Sequence, residues 1–265
     1  LKSGKEAAVY VVQRGDEVLC AKVYKDMAQR SFQARVQYQE GRKVRGSRAM
    51  RAMGKATKFG RKEQETAWKN TEVDALYTLH EAGVSVPRPH GYFHGVLLME
   101  LVTDANGDAA PRLNDVAFTP EQARAHHATL LGEVVRMLGA GIVHGDLSEF
   151  NILLGHEDGT AVPVIIDLPQ AVDAAGNNHA QRMLLRDVGN LRDFFGQFAP
   201  MLLKTEYGPE IWSLYQAGLL SHETALTGRF ERSTASVDMA AVLREIDDAR
   251  DEEAARRLRM ATPAA

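Results

Sequence analysis

The sequence predicts an α+β fold of two lobes, a small β-rich lobe followed by a mostly helical one. The small lobe is predicted by two pairs of β-rich runs, residues 8–13 with 18–24 and residues 90–93 with 96–101. The helical lobe is predicted by two long runs with helical apolar spacing, residues 119–140 and 182–198. A chain of 265 residues, 45% of them hydrophobic, is long enough for such a protein.

Local signals justify the elements of the small lobe. The glycine-bearing polar turn 14–17 separates the first two strands, as in a β-hairpin. Residues 63–82 carry an apolar stripe with helical spacing and are followed by Gly83, so we predict a helix that ends there. His94-Gly95 is the expected turn of the second hairpin.

The helical lobe carries comparable start and stop signals. Thr119 is a suitable N-cap before Pro120, and glycines end this helix near residue 140. His126 and His127 lie on the same helix with no carboxylate or cysteine at metal-ligand spacing, so we interpret them as surface residues. Pro200 ends the next helix.

We predict three consecutive parts. Residues 1–102 form the N-lobe, residues 103–200 form the core of the C-lobe, and residues 201–265 form a C-terminal helical extension. Within the extension, Ser221 is placed to cap a further helix.

Bulk composition excludes several classes of protein. The net charge of −3 argues against a general polyanion binder. The single cysteine, Cys20, excludes an internal disulfide, fits a reducing cytoplasm and is expected to be a small core residue. No apolar run approaches the roughly 20 residues that span a bilayer. We therefore expect a cytoplasmic protein without membrane association.

One stretch, residues 142–154, reads as an apolar strand, a polar loop and a second apolar strand. The loop holds His144, Asp146 and Asn151 in an H-x-D-x-x-x-x-N pattern, and Asp167 ends a short apolar strand further on. Phosphoryl transfer from ATP needs one Asp near the acceptor, and an Asn with a second Asp on the metal. We expect the flanking strands to bring these groups to one edge of a sheet. A polar turn between buried strands is the alternative.

Lys22 lies inside an apolar strand, where an ammonium is costly unless it is paired. Its predicted partners are Glu72, near the centre of the helix 63–82, and the α- and β-phosphates of a nucleotide. The alternative is a lysine on an edge strand and a glutamate on the helix surface, both facing solvent.

Two further stretches suit nucleotide binding. The turn that contains Ser3 and Lys5 has small residues and free backbone N–H groups that can approach phosphates. The strand 97–102 runs into a linker between the lobes, where an adenine would meet the Glu100 C=O and the Val102 N–H against a wall formed by Met99.

The segment 41–62 contains nine lysines and arginines and no acidic residue. We interpret it as a mobile basic loop, which either has no specific role or contacts RNA or an acidic partner. Its one aromatic residue, Phe59, gives little support to base stacking.

In combination these motifs resemble the RIO family of atypical protein kinases, most closely its Rio1-like branch of bacterial or archaeal type. The resemblance covers roughly residues 1–200. The motifs that carry it, together with the basic segment, are His-Gly-Asp-Leu-Ser-Glu-Phe-Asn, Ile-Ile-Asp-x-Pro-Gln, Ser-Gly-Lys-Glu-Ala-x-Val-Tyr, Ala-Lys-Val-Tyr-Lys and Trp-x-x-x-Glu.

The resemblance implies a two-lobed protein-kinase-like fold that transfers phosphoryl groups from ATP, with Mg²⁺ or alternatively Mn²⁺, to serine or threonine of a protein substrate or of the chain itself. The implied roles are catalytic base for Asp146, metal ligands for Asn151 and Asp167, phosphate contacts for Lys22, Ser3 and Lys5, and orientation of Lys22 for Glu72. It also implies that Asp167 can accept the phosphoryl group, which would give a net ATPase. Family members are linked to maturation of the small ribosomal subunit, which would give the basic segment a purpose.

Two other functions stay open. One is a small-molecule kinase of the aminoglycoside or choline type, and the other is a nucleotide-switched ribosome or RNA assembly factor. Gly145 stands where ordinary kinases carry the Arg that reads a phosphorylated activation loop, and no A-P-E segment follows Asp167. We therefore expect no control by activation-loop phosphorylation. Asp187, on the helix 182–198, either supports the catalytic loop through buried hydrogen bonds or lies on the helix surface.

Overall fold

The computed structural model describes residues 2–3, 7–24 and 71–230, with side chains for 7–24 and 71–230. The chain divides into two compact units, residues 1–229 and 230–265. The second unit lies outside the described residues except for Phe230. Several sequence predictions also fall outside them, namely those on Lys5, the basic segment 41–62 and the C-terminal extension beyond residue 230.

The first lobe is built on a five-stranded antiparallel sheet with the strand order β1-β2-β3-β5-β4. Both predicted hairpins are confirmed, and both turn at a glycine with positive φ, where a side chain would be strained. The strands are β1 (Lys2–Ser3), β2 (Ala7–Arg14), β3 (Glu17–Tyr24), β4 (Pro89–Phe93) and β5 (Val96–Glu100).

The first described helix, α1, covers residues 71–81 and confirms the C-terminal part of the predicted helix. Gly83 follows it at φ +73°, and the Val84 N–H donates to the Leu79 C=O, which satisfies a carbonyl of the last turn. The residues after Gly83 are hydrogen-bonded to the second lobe. Ser85 donates its N–H to Glu133 at 2.9 Å and accepts from the Ile165 N–H at 2.8 Å.

The second lobe contains three described helices, and its central one begins as predicted. Thr119 accepts from the Gln122 N–H while the Gln122 side chain accepts from the Thr119 N–H, which is a capping box, and proline follows the cap. The helices are α2 (Pro120–Gly139), α3 (Ala180–Gly196) and α4 (Tyr207–Gln216). Short 3₁₀ turns cover Leu113–Asp115, Glu149–Asn151 and Pro200–Lys204.

Leucines and aromatic residues from these helices fill a core that includes Leu130, Leu138, Leu191 and Phe195, each fully buried. No helix within the described parts of the chain is both long enough and apolar enough to cross a membrane.

Four short strands form two separate hydrogen-bonded pairs in this lobe. The strands are β6 (Ile142–Val143), β7 (Ile152–Glu157), β8 (Thr160–Ile165) and β9 (Val172–Asp173); β6 pairs with β9 and β7 pairs with β8. The expectation that one sheet edge would gather the catalytic groups is therefore wrong. The Asp158-Gly159 turn, at φ +48° and +81°, folds β8 back onto β7, so the strands that flank the catalytic loop pair with later strands instead of each other.

The interpretation of His127 as a surface residue is also wrong. Its side chain is 2% exposed and packs against Phe195 and Tyr207, with ring centroids 5.9 Å and 5.6 Å away. Helical spacing places His127 on the same side of α2 as the core leucines. The sequence contains no signal that α3 and α4 cover this side chain. His126 is half-buried beside Phe118.

The C-terminal extension is helical only in part among the residues described. Helix α4 ends at Gln216, and residues 217–230 contain no helix, so Ser221 is not a helix cap. The buried Glu210 carboxylate accepts hydrogen bonds from the Thr227 N–H and hydroxyl and from the Gly228 N–H, all at 2.8 Å. These bonds fix the following segment against α4 and compete with helix formation in it.

The burial of His127 predicts a specific sensitivity to acid. Burial lowers the pKa of His127 from 6.5 to about 4, so its contribution to stability is fully present above pH 6.5 and is lost as the pH falls toward 4. We expect His127→Leu to remove about 2 kcal/mol of the stability difference between pH 7 and pH 5. Urea unfolding at both pH values measures the difference.

The exposed His222 provides the matched control. His222→Leu removes an exposed histidine, and its pH dependence of stability is the reference with which that of His127→Leu is compared. An equal pH dependence in His127→Leu and the unchanged protein would contradict the assignment.

Candidate active site

The site centres on the Lys22 ammonium, which contacts two carboxylates from distant parts of the chain. Its Nζ lies 2.5 Å from Glu72 Oε1 on α1 and 2.6 Å from Asp167 Oδ1. Glu72 is buried, and the Asp167 side chain is about half exposed at 45%. The predicted pairing of Lys22 with Glu72 is confirmed, and the solvent-facing alternative for both residues is excluded.

These contacts set the charge states of the group. Burial alone would lower the pKa of Lys22, but the Glu72 and Asp167 carboxylates outweigh it and raise that pKa above its ordinary value. Burial favours the neutral form of Asp167, yet the Lys22 ammonium holds the pKa of Asp167 below its ordinary range. At neutral pH Lys22 is therefore an ammonium ion and Asp167 a carboxylate.

The two strand pairs place the catalytic loop, residues 144–151, beside Asp167. This loop joins β6 to β7, and the loop that contains Asp167 joins β8 to β9. Since β6 pairs with β9 and β7 with β8, both ends of the two loops are held together. The Ile166 N–H donates to the Asn151 C=O at 3.0 Å, which brings Asn151 directly alongside the residue before Asp167.

His144 connects the two loops with a defined tautomer. Its Nδ1 accepts from the Asp146 N–H at 3.3 Å, so the ring proton is on Nε2, which lies 3.1 Å from the Ile166 C=O. Burial lowers the pKa of His144, which keeps the imidazole neutral as this arrangement requires. His144 is thus a structural link between Asp146 and the Asp167 loop.

The side chain of Asn151 has a fixed orientation. Its Nδ2 donates to the Asp146 C=O at 2.8 Å and lies 3.5 Å from Asp146 Oδ2. The opposite atom of the amide, Oδ1, makes no hydrogen bond with the described residues and is available as a ligand. Asp146 itself is exposed on the loop surface.

Asp167 has a backbone conformation that is rare outside glycine, with φ at +66°. Aspartate tolerates this region better than most residues, but the conformation is still strained and persists only because the surroundings impose it. Here β8 and β9 fix the chain on both sides, and the turn presents the Asp167 carboxylate to Lys22.

Helix α3 supports the catalytic loop, as the buried alternative for Asp187 predicted. The Asp187 carboxylate accepts from the Gly145 N–H at 2.8 Å and from the Leu147 N–H at 3.1 Å. Asn190 donates to the Leu147 C=O at 2.9 Å, and Arg186 donates to the Gly145 C=O. Burial raises the pKa of Asp187 to about 7, although the two N–H donors oppose that change.

Sequence reasoning missed Arg186, Asn190 and the role of His144. Arg186 and Asn190 flank Asp187 at helical spacings that put all three near one face, which is a signal that could have been found. The bonds themselves depend on how α3 packs on the loop, which no local pattern reveals.

The linker between the lobes is where the adenine contacts were predicted. The Val102 C=O accepts from the Ala110 N–H at 3.0 Å, while the Val102 N–H has no hydrogen-bond partner among the residues described. Gly155 of β7 lies against this linker, because a Cβ there would be 2.8 Å from Val102 Cγ1. The absence of a side chain at Gly155 permits this close approach. Met99 and Glu100 are at the end of β5, and the Glu100 N–H donates to the Arg88 C=O.

Only part of the predicted phosphate-side turn lies within the described residues. Ser3 lies on β1 opposite Ala8, and Lys5 is outside the described residues.

The donor set fits a magnesium ion. Asn151 Oδ1 and Asp167 Oδ2 are hard oxygen donors without hydrogen bonds inside the described region, and Mg²⁺ commonly takes only one or two protein ligands beside phosphates and water. No cluster of three or more His, Cys, Asp or Glu residues that could hold a metal occurs in the parts of the chain that the structure describes.

Comparison with known proteins gives a consistent family. A family model described as "RIO domain" matches residues 8–207. Serine/threonine-protein kinase RIO1 of Caenorhabditis elegans is 30% identical over 204 residues, which cover 77% of this chain and 38% of that protein. RIO-type serine/threonine-protein kinase Rio1 of Haloferax volcanii is 34% identical over 196 residues, 74% of this chain and 61% of that protein.

Solved structures support the fold. The Rio2 kinase from Chaetomium thermophilum has a TM-score of 0.55 and 23% identity, covering 93% of this chain and 71% of that one. A second structure of that kinase, an ADP/Mg²⁺-phosphoaspartate complex, has a TM-score of 0.53 and 24% identity over 74% of this chain and 54% of that one. These likenesses establish the two-lobed kinase-like α+β fold.

The chain spans 38% and 61% of the lengths of the two relatives named above. Because the RIO-domain match covers most of the chain and the relatives include archaeal Rio1 proteins, the chain belongs to the RIO family, in its Rio1-like branch.

Proposed function

We propose that this protein is a RIO-type atypical serine/threonine protein kinase that transfers the γ-phosphoryl group of ATP with the help of Mg²⁺. The observation that carries the proposal is the placement of Lys22 within 2.6 Å of both Glu72 and Asp167. Phosphoryl transfer in this fold needs such a cation beside a metal-binding carboxylate. Curated relatives carry the name of serine/threonine-protein kinases.

In this proposal Lys22 binds the α- and β-phosphates, and Glu72 fixes the ammonium from the side away from the cleft. Ser3 and Lys5 contribute to the phosphate-side turn. The adenine ring contacts the Glu100 C=O and the Val102 N–H, with Met99 as the adjoining wall. The unpartnered Val102 N–H supports this arrangement, since a buried donor without a partner is costly.

Asp146 is proposed as the catalytic base. Its exposed carboxylate can accept the proton of an incoming hydroxyl, and the hydrogen bond from its N–H to His144 fixes the backbone beneath it. Asn151 and Asp167 are proposed as the metal ligands. When bound there, Mg²⁺, or Mn²⁺ as an alternative, neutralises charge that develops on the transferred phosphoryl group.

A second route within the same site ends on the protein. An oxygen of the Asp167 carboxylate attacks the γ-phosphorus, the bond to the β-phosphate oxygen breaks, and ADP leaves; hydrolysis of the acyl-phosphate by water then returns the carboxylate and releases phosphate. This route is supported by the solved structure of the C. thermophilum Rio2 kinase, which is an ADP/Mg²⁺-phosphoaspartate complex. The chain would then act mainly as an ATPase.

The partner of the basic segment 41–62 is proposed from charge alone. Nine cationic residues without an acidic one suit the phosphates of RNA, including ribosomal RNA, or an acidic protein surface. A protein substrate, or the chain itself, is the proposed acceptor of the phosphoryl group, and a cytoplasmic location stays a prediction from the lone Cys20.

The experiment that tests the proposed function is incubation with γ-labelled ATP and Mg²⁺. We expect label on the protein. Release by hydroxylamine would place it on a carboxylate, and acid-stable label would place it on serine or threonine. Label transferred only to an aminoglycoside or choline would replace the proposal with a small-molecule kinase. Absence of both protein label and phosphate release would overturn it.

Substitution of the two aspartates separates their roles. Asp146→Ala should reduce transfer to a protein acceptor by at least about 10³-fold, because the hydroxyl loses its base and orienting group. Asp167→Asn should abolish metal-dependent nucleotide turnover, because the amide is a weaker magnesium ligand and cannot form an acyl-phosphate. Labelled-phosphate transfer and ADP release measure the two effects.

The control is Asp173→Asn, which changes a nearby aspartate on β9. The Asn side chain keeps the oxygen that accepts from the Ala175 and Gly176 N–H groups. Activity close to that of the unchanged protein is expected. Full activity in Asp146→Ala or Asp167→Asn would refute the corresponding role.

The support from α3 predicts a second effect. In Asp187→Asn one carboxylate oxygen becomes an NH₂ group, so one of the two loop N–H groups loses its acceptor. We expect a loss of roughly 1–3 kcal/mol of unfolding free energy and at least a tenfold decrease in kcat, because the catalytic loop loses a buried acceptor. Denaturant unfolding and steady-state kinetics measure both quantities.

Asp193→Asn is the matched control, because Asp193 lies on the same helix but is exposed and pairs only with Arg192 among the described residues. It should leave stability and kcat nearly unchanged. A kcat in Asp187→Asn equal to that of the control would argue against the supporting role.

A further inference from the structure

Tyr24 lies on the same face of β3 as Lys22, two residues further along the strand. The Lys22 Nζ is 5.7 Å from the centroid of the Tyr24 ring. That distance is within the roughly 6 Å over which the face of an aromatic ring attracts a cation. The ammonium is thus surrounded by three groups, two carboxylates and one ring.

The Tyr24 ring has little freedom to move away. Its residue is 7% exposed, and the ring meets the edge of Tyr92 at a centroid distance of 6.3 Å and an angle of 72°. The backbone is fixed as well, because the Tyr24 N–H donates to the Gly95 C=O and Tyr24 is the register partner of Ala7 on β2. The ring is therefore a rigid part of the sheet.

The hydroxyl of Tyr24 stays protonated. Burial, followed by the nearby Glu72 carboxylate, raises the pKa of the Tyr24 phenol far above its ordinary value. The side chain accordingly adds no charge beside the Lys22–Glu72 pair. It contributes apolar surface and a ring face to a site that is otherwise made of charges.

A lysine needs such support more than an arginine does. Its side chain has four flexible methylene groups, and an ammonium has no planar geometry that fixes its direction. The Asp167 carboxylate is about half exposed, so water can compete for the ammonium from that side. A ring against the ammonium limits both the space available to the Lys22 side chain and the entry of water.

We propose that Tyr24 is a positioning residue, whose ring keeps the Lys22 ammonium directed at the phosphate side of the nucleotide cleft. The ring lies over the ammonium, whereas the hydroxyl interacts with Glu72, so we assign the effect to the ring. The placement of Lys22 by the ring rests on the geometry alone. The expected effect on nucleotide affinity rests in addition on the proposed function.

The test compares Tyr24→Phe and Tyr24→Leu with Tyr92→Leu. Tyr92 belongs to the same aromatic contact, but among the described residues the ring that lies over the Lys22 ammonium is that of Tyr24. Tyr92→Leu therefore reproduces the loss of packing without the loss of that ring face. Two quantities are measured in each variant: the rate at which an amine-reactive reagent labels Lys22, read by peptide mass spectrometry, and the Kd for MgADP, read by calorimetry. Thermal unfolding confirms that each variant is folded.

We expect Tyr24→Leu to label at Lys22 severalfold faster and to bind MgADP about tenfold more weakly. Tyr24→Phe and Tyr92→Leu should stay within about twofold of the unchanged protein in both measurements. Unchanged labelling of Lys22 in Tyr24→Leu would overturn the proposal, and so would an equal effect in Tyr24→Phe, because the hydroxyl would then be responsible. Faster labelling in a protein that binds no MgADP would keep the positioning role and remove the proposed function.

Discussion

The structure of the site depends on one electrostatic constraint, the burial of the Lys22 ammonium between two carboxylates. An unpaired ammonium in this position would lose its hydration without compensation. The contacts to Glu72 and Asp167 bridge 50 and 145 residues of sequence, so they connect the sheet of the first lobe, helix α1 and the loop after β8. Removing either carboxylate would leave a buried charge with only one partner.

The same demand for compensation governs the catalytic loop. Residues 144–151 form no regular strand or long helix, and their backbone groups need partners from elsewhere. Helix α3 provides these partners through Asp187, Asn190 and Arg186, and His144 provides one toward the Asp167 loop. Loop geometry is therefore set by side chains from neighbouring elements.

The buried groups that titrate do not all respond to pH in the same direction. The lowered pKa values of His127, His144 and Asp167 give stability that is lost as the pH falls, whereas the raised pKa of Lys22 gives stability that is lost as the pH rises. His127 and His144 are buried as neutral imidazoles, and protonation of either one is unfavourable in the folded protein. Lys22 and Asp167 are stabilised in their charged forms by each other. The buried histidines therefore avoid charge, whereas the buried Lys22 ammonium is retained because two carboxylates compensate it.

Local patterns in the sequence predicted most of the strands and helices, and they picked out the residues that are proposed to carry the chemistry. Strand alternation, glycine turns and the Thr119 cap depend on neighbours in the chain, and the spacing of Asp146, Asn151 and Asp167 is a local pattern. Tertiary structure alone decided the pairing of β6 with β9, the burial of His127 and the bonds from α3 to the catalytic loop. These features depend on contacts between segments far apart in sequence, whose free energy is not visible in the periodicity of either segment.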